Sequence, residues 1–260
     1  MEWTNEAEEA VGKAPFFVRK KIKKRVEKEA SQAGKTLVTI TDVKATQKRF
    51  MMNMESEVKG YSLETCFGSG GCPNRIMDLD TLMSRIETVL KDARLFDYLK
   101  SRINGPLKFH HEFNVTMADC PNACSRPQIK DIGIIAADVP VVTDEECTHC
   151  GECVTSCRER CVTLIDDDDR PSIDLSQCVM CGACINACPT GTIASSKKGL
   201  RIMLGGKLGR RPALAKELSG IFSEDETVEV VKKCIEHYKA NSNPGERFGA
   251  LLQRIGSDFL

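Results

Sequence analysis

The sequence predicts an α+β fold in which a cysteine-rich insertion divides the main domain and a helical module precedes it. Three observations lead there. Residues 78–90 place Leu79, Leu82, Met83, Ile86, Val89 and Leu90 on one helical face. Residues 107–117 alternate with period two, as a strand requires. Two cysteine runs of identical spacing, 147–157 and 178–188, mark a duplicated unit. With 260 residues, 41% of them hydrophobic, the chain can bury one large core and a small second one.

Charge and composition exclude several classes. Lys+Arg and Asp+Glu both number 37, so there is no charge excess of the kind a nucleic-acid partner calls for. The charge is uneven: residues 19–28 read RKKIKKRVEK and residues 165–169 read IDDDD. The acidic start, MEWTNEAEEA, lacks the apolar core of a secretory signal. The longest apolar stretch, Ile132 to Val142, is broken by Asp138 and Pro140 and is too short to span a bilayer. A cytoplasmic protein is expected, with no membrane and no nucleic acid among its partners. Fourteen cysteines without an export signal point to metal or redox chemistry rather than disulfides, in a reducing or anaerobic setting.

The first segment, 1–46, reads as a helical module. Val18, Ile22, Val26 and Ala30 follow helical spacing, with lysines and arginines opposite. The simplest reading of the basic side is a solvated face; a docking surface comes second. The stretch WTNEAEEAVGKAPFFVRKKIKKRVEKEA resembles a small module at the end of one subunit of the light-independent protochlorophyllide reductase, an enzyme that handles a tetrapyrrole.

The second segment, 47–140, carries CFGSGGC at 66–72 and CPNAC at 120–124. A C-x5-C followed after 47 residues by a C-x3-C is unlike a ferredoxin and unlike common zinc spacings. The helix over 78–90, behind a cap at Asp78, is expected to pack beside the first loop. The strand over 107–117 follows the turn residues Asn104, Gly105 and Pro106 and runs into Cys120, with Lys108 and His110 on one face. The cysteine pattern resembles the sirohaem–[4Fe-4S] site of the sulfite and nitrite reductase family. So do DCPNACSRPQIKDIGI at 119–134 and LGGKLGRRP at 204–212, and the likeness covers most of 60–140 and 198–255.

That resemblance implies a mixed sheet with helices, forming one half of the pseudo-twofold family enzyme. It implies that Cys66, Cys72, Cys120 and Cys124 bind one cubane, with Cys124 bridging to the sirohaem iron. It also implies that Lys108 matches the first of two lysines that touch the bound oxyanion. His110 stands where the second would be, and Leu107 replaces an arginine. A histidine there can donate a proton as well as a hydrogen bond. Arg75, Arg126, Lys130, Lys207, Arg210 and Arg211 are candidates for the cofactor's many carboxylates, with Asn122 beside them. Arg75 and Arg126 are further candidates for the substrate. Two arginines that the family brings to substrate have no counterpart here, so a second subunit or a residue such as Arg75 is expected to replace them.

The third segment, 141–199, contains CTHCGECVTSC and CVMCGACINACP, each C-x2-C-x2-C-x3-C, repeating at an offset of 31. Zinc is the alternative occupant of such cysteines. The duplication resembles the bacterial two-cluster ferredoxins, in which the fourth cysteine of each run ligates the other cluster. The implied sets are Cys147, Cys150, Cys153 with Cys188, and Cys178, Cys181, Cys184 with Cys157. Pro189 follows Cys188 as that family expects, whereas Arg158 follows Cys157. Cys161 aligns with Thr192 and is expected to pack near a cluster. The acidic run at 166–169 reads as a solvated turn, or more sharply as a docking surface for a redox partner. In the last segment, 200–260, a helix from about Asp225 buries Val228, Val231, Cys234, Ile235 and Tyr238, so Cys234 is a core residue.

The expected function is a sirohaem-dependent reductase with three [4Fe-4S] clusters, reducing sulfite to sulfide and fed by its own ferredoxin segment and an external low-potential donor. Homo-oligomerisation is possible. The alternatives are a nitrite reductase of the same type, a non-catalytic polyferredoxin carrier, and a tetrapyrrole-handling accessory protein.

Overall fold

A computed structural model describes residues 1–14, 16–67, 70–164 and 170–260, without the side chains of 16–18 and 51–55. The chain packs as two compact units, one of residues 1–58 with 103–110 and one of residues 59–102 with 111–260.

In the first unit, β1 (Glu2–Trp3) pairs in parallel with β2 (Leu37–Val38) beside α1 (Asn5–Gly12), α2 (Phe16–Gln32) and α3 (Ile40–Glu57). Thr4 caps α1 by accepting from the Ala7 N–H at 3.4 Å. Ala7, Val11, Val26, Ala30, Val38 and Val43 form its core, with Ile22 partly buried against it. The helical spacing of Ile22, Val26 and Ala30 is therefore the buried face of α2, while the side chain of Val18 lies outside the described residues. Arg19, Lys20, Lys21, Lys24, Arg25 and Lys28 are exposed, and Lys23 pairs with Glu8 at 2.9 Å.

The second unit is built on five strands in the order β3 (Tyr61–Thr65), β4 (Phe113–Ala118), β5 (Ile132–Val142), β8 (Ile193–Leu204), β9 (Lys216–Glu217). The first three are parallel and the rest antiparallel, so the sheet is mixed. α4 (Asp80–Asp92) and α5 (Leu95–Arg102) form the crossover from β3 to β4, the length of chain that parallel strands need. α4 buries Leu82, Ile86 and Leu90, with Leu79 buried just ahead of them. It starts at Asp80 rather than 78; Asp78 still receives the Asp80 N–H at 2.9 Å. The apolar run read as too short for a membrane is β5, buried from Ile132 to Ala137 in mid-sheet. Among the described residues no helix is long and apolar enough to cross a membrane.

β5 and β8 form a long antiparallel hairpin, and residues 143–192 are inserted at its far end. They carry α6 (Glu152–Ser156), α7 (Ala183–Ala187) and the two-stranded pair β6 (Val162–Thr163) and β7 (Ser172–Ile173). The sequence duplication is a structural one. His149 and Met180 both have positive φ, 55° and 60°, and Gly151 and Gly182 both precede their helix at φ 74° and 72°. The acidic run 165–169 lies outside the described residues. After β8, α8 (Glu224–Asn241) begins with a capping box of Ser223 and Glu226 and packs on α4. It buries Val228, Val231, Cys234, Ile235 and Tyr238, as expected. α9 (Phe248–Ile255) closes the chain, with Phe248 against Phe113 and Tyr238.

One expectation fails. The strand over 107–117 begins only at Phe113, and Phe109–His111 forms a 3-10 turn. The reason is pairing. β3 begins at Tyr61, which faces Phe113 in register, so among the described residues the β3–β4 ladder starts at Phe113 and does not extend back over 107–111. The shared strand face that was to carry Lys108 and His110 does not form, and both residues belong to the first unit.

Candidate metal centres

Two parallel strands end at cysteines. β3 stops at Thr65 and is followed by Cys66; β4 stops at Ala118, just before Cys120. Ligand sites in open parallel sheets form outside such carboxyl ends, where strands release their loops together. The Cys66 N–H donates to Met117 O at 3.2 Å, and the Asp119 N–H donates to Cys66 Sγ at 3.4 Å. Burial raises the Cys120 thiol, against the Asn122 N–H. After burial, Cys66, Cys72 and Cys124 also raise the Cys120 thiol electrostatically. The connection from β4 to β5 bends sharply, with Ala123 at φ 52° and Arg126 at φ 59°. It leaves Cys124, Asn122 and Arg126 exposed while Cys120 is buried.

Arg75 holds the two cysteine loops together. Its Nε donates to Asp119 Oδ2 at 2.9 Å, and a terminal nitrogen lies 2.8 Å from Asp78 Oδ1. Ile76 N–H reaches Asp119 O at 2.9 Å. Burial raises the Asp119 carboxyl, and the Arg75 charge opposes it. With two carboxylates on its guanidinium, Arg75 serves the loops rather than an open anion site. Lys130, expected near cofactor carboxylates, is 2.7 Å from Glu64 Oε2. Lys207 Nζ donates to Gln253 Oε1 at 3.0 Å, and its backbone pairs with Ala213. Arg210 and Arg211 are exposed. The 205–207 segment lies directly on the 128–131 loop. Gly205 N–H donates to Asp131 O at 2.8 Å, and a Cβ on Gly206 would meet Gln128 O at 2.5 Å.

In the insertion, Cys147, Cys150, Cys153 and Cys188 line one small cavity. Cys157, Cys178, Cys181 and Cys184 line another, of about 440 Å³. Backbone N–H groups point at the sulfurs: His149 to Cys147 at 3.4 Å, Met180 to Cys178 at 3.3 Å, Cys161 to Cys157 at 3.2 Å and Ile193 to Cys188 at 3.3 Å. Such donors favour thiolate and cluster sulfur over thiol. Burial works on Cys188 in the other direction, but the Ile193 N–H and the Thr190 hydroxyl, with the Thr190 and Gly191 N–H groups, bring it down to about 7. Burial pushes Cys153 and Cys178 up and Cys184 up to about 11. Cys161 is buried in the wall of the larger cavity and is raised to about 11 by burial and by Cys157. Among the described residues no three or more His, Cys, Asp or Glu side chains sit at the spacing of a single-ion site.

The larger cavity joins the two systems. Arg75, Ile76, Cys120 and Asn122 line it together with Cys157, Cys178, Cys181 and Cys184. Asp138 and Lys198 also line it, and the sequence reading did not select them. The available signal was Asp138 itself, a charge inside an otherwise apolar run. Asp119 was likewise inside a quoted motif but was not singled out.

Residues 60–260 match the nitrite and sulphite reductase 4Fe-4S domain family, and residues 3–46 match the proto-chlorophyllide reductase 57 kD subunit. A coenzyme F420-dependent sulfite reductase of Methanocaldococcus jannaschii is 31% identical over 193 residues, 74% of this chain and 28% of that protein. The beta subunit of a dissimilatory-type sulfite reductase of Nitratidesulfovibrio vulgaris is 27% identical over 153 residues, 56% of this chain and 32% of that one. The chain thus spans 28% and 32% of the length of these two relatives. The B subunit of the light-independent protochlorophyllide reductase of Chlorobium limicola is 54% identical over 39 residues, 15% of this chain and 7% of that one. A crystal structure of dissimilatory sulfite reductase I aligns with a TM-score of 0.48 at 21% identity, over 75% of this chain and 49% of that chain. The longest of these matches takes in both cysteine pairs, the duplicated insertion and the C-terminal helices, and the chain therefore belongs to the nitrite and sulphite reductase 4Fe-4S domain family.

Proposed function

We propose that this chain is a sulfite-reducing module that holds three [4Fe-4S] clusters and a sirohaem and receives electrons through its own insertion. The observation that carries the reading is the single cavity wall shared by Cys120 and Asn122 with Cys157, Cys178, Cys181 and Cys184. The donor set suits clusters: all-thiol groups, with backbone N–H groups aimed at their sulfurs. The cluster sets follow the two cavities: Cys147, Cys150, Cys153 with Cys188, and Cys178, Cys181, Cys184 with Cys157. Cys66, Cys72, Cys120 and Cys124 hold the third.

The exposed Cys124, with the exposed Arg126, Arg210 and Arg211 in the motif segments, suits a cofactor rich in carboxylates. When bound, a sirohaem supplies the iron at which an oxyanion of sulfur accepts electrons. Asn122, Arg126, Lys130, Lys207, Arg210 and Arg211 would orient its carboxylates. Arg126 would hold the oxyanion, while Arg75 positions the cysteine loops. An external low-potential donor supplies the electrons.

The test is the visible spectrum of the anaerobically purified chain, followed by sulfite under a strong reductant. Chlorin bands that shift with sulfite and vanish in Cys124→Ser support the reading. Iron–sulfur absorbance with no chlorin band after reconstitution with sirohaem refutes it and leaves an electron carrier. Parallel turnover with nitrite decides the substrate.

A further inference from the structure

An ion pair stands in the cavity wall between the two cysteine groups. Asp138, on β5, is 6% exposed. One carboxylate oxygen accepts from the Ser195 hydroxyl, and the other lies 3.3 Å from Lys198 Nζ. The Asp138 N–H donates to Met180 O at 2.8 Å, inside the Cys178–Cys184 loop. That loop approaches so closely that a Cβ on Gly182 would stand 3.2 Å from Asp138 Cβ. Lys198 reaches the other way and donates to Ile76 O at 3.3 Å, just beyond Cys72. The Ile76 N–H in turn holds Asp119 O, next to Cys120. The pair therefore touches one loop of each cysteine group, and neither residue belongs to a cysteine motif.

We propose that Asp138 and Lys198 are positioning residues whose opposite charges set the relative potentials of the cluster at Cys157/Cys178/Cys181/Cys184 and the cluster at Cys66/Cys72/Cys120/Cys124. This rests on the reading that both groups hold clusters. A fixed negative charge in a poorly hydrated wall disfavours an added electron, and a positive one favours it. Asp138 is buried, whereas the Lys198 side chain is 49% exposed and better screened. The carboxylate therefore dominates, and it acts on the Cys178 loop it touches. In the step concerned, one electron leaves the Cys178-loop cluster, which is oxidised, and enters the Cys66/Cys120 cluster, which is reduced. No bond or proton changes, and a low-potential external donor restores the first cluster.

The experiment is an EPR-monitored redox titration of the full chain at about pH 8, with dithionite as reductant, in the parent, Asp138→Asn, Lys198→Met and the double variant. The expected result is opposite shifts of the Cys178-loop signal. It becomes easier to reduce in Asp138→Asn and harder in Lys198→Met, the double variant returns toward the parent, and the Cys147 cluster stays unmoved. Shifts of the same sign in both single variants, or unmoved potentials with all signals present, overturn the proposal. If Asp138→Asn loses its cluster, the half-exposed Lys198→Met alone carries the decision by the sign of its shift. A parent chain with no cubane signals refutes the cluster reading itself, and this inference with it.

Discussion

Replacing Arg75 by methionine removes the cation that pairs with the buried Asp119 carboxylate. Asp119 is 3% exposed, Arg75 24% at its side chain, and the contact is 2.9 Å. Breaking a buried pair from one side leaves a charge without a partner and costs about 3–5 kcal/mol in full burial. Water reaches Arg75, so about 2 kcal/mol is the better figure, or roughly 30-fold in the population of the opened loops. The assay is anaerobic bleaching of the visible iron–sulfur absorbance by a chelator, which draws on that opened population. On the proposed assignment of three clusters, about a third of the absorbance, that of the cluster at Cys66/Cys72/Cys120/Cys124, should bleach roughly 30-fold faster in Arg75→Met than in the parent. The pH dependence has a definite sign. Burial already raises the Asp119 carboxyl, and losing Arg75 removes the charge that opposes the rise. A carboxyl raised in the folded state contributes its full stability below its unfolded pKa of about 4 and loses it as pH climbs through the raised value. The gap between variant and parent should therefore be widest near pH 8 and narrow toward pH 5. Equal bleaching rates at both pH values, or a gap that grows toward acid, refute the reasoning.

On the proposed cluster sets, Cys188→Ser should remove the cluster placed at Cys147, Cys150, Cys153 and Cys188 and about a third of the iron, leaving the Cys178-loop signal in EPR; loss of the Cys178-loop signal instead would reverse the assignment of the sets. Phe248→Ala empties a site 1% exposed, 5.2 Å from the Phe113 ring and 6.1 Å from that of Tyr238, and should cost about 3–5 kcal/mol, seen as a lower thermal midpoint of the second unit. In the first unit, Asp42 is held down to about 2 by Lys35 and by the Thr39 N–H and hydroxyl. A carboxyl lowered in this way adds stability above about pH 4 that disappears as pH falls toward 2, so Asp42→Asn should be less stable than the parent at pH 6 and equal to it near pH 2, by circular dichroism.

What was legible in the sequence is what depends on neighbours along the chain. The helical spacing of Leu82, Ile86 and Leu90, the helix around Val231 and Tyr238, and the duplicated loops before α6 and α7 are local patterns. They fold as their periods and cysteine spacings require. Period two failed over 107–111 because a strand is stable only beside another, and β3 ends its pairing at Phe113. The same limit hid the ion pair. Asp138 was visible as a flaw in an apolar run, but its partners Ser195 and Lys198 come from β8, and only the β5–β8 register brings them to it. Arg75 looked like a free cation in its motif until the fold set Asp119 against it from the next strand's end. The sequence by itself determined the tight cysteine loops, because C-x2-C spacing is short-range geometry, whereas the exchange of Cys157 and Cys188 between the two runs was implied only by the resemblance to two-cluster ferredoxins. The tertiary structure alone decided which charges those groups meet, because that depends on contacts between residues far apart in the chain.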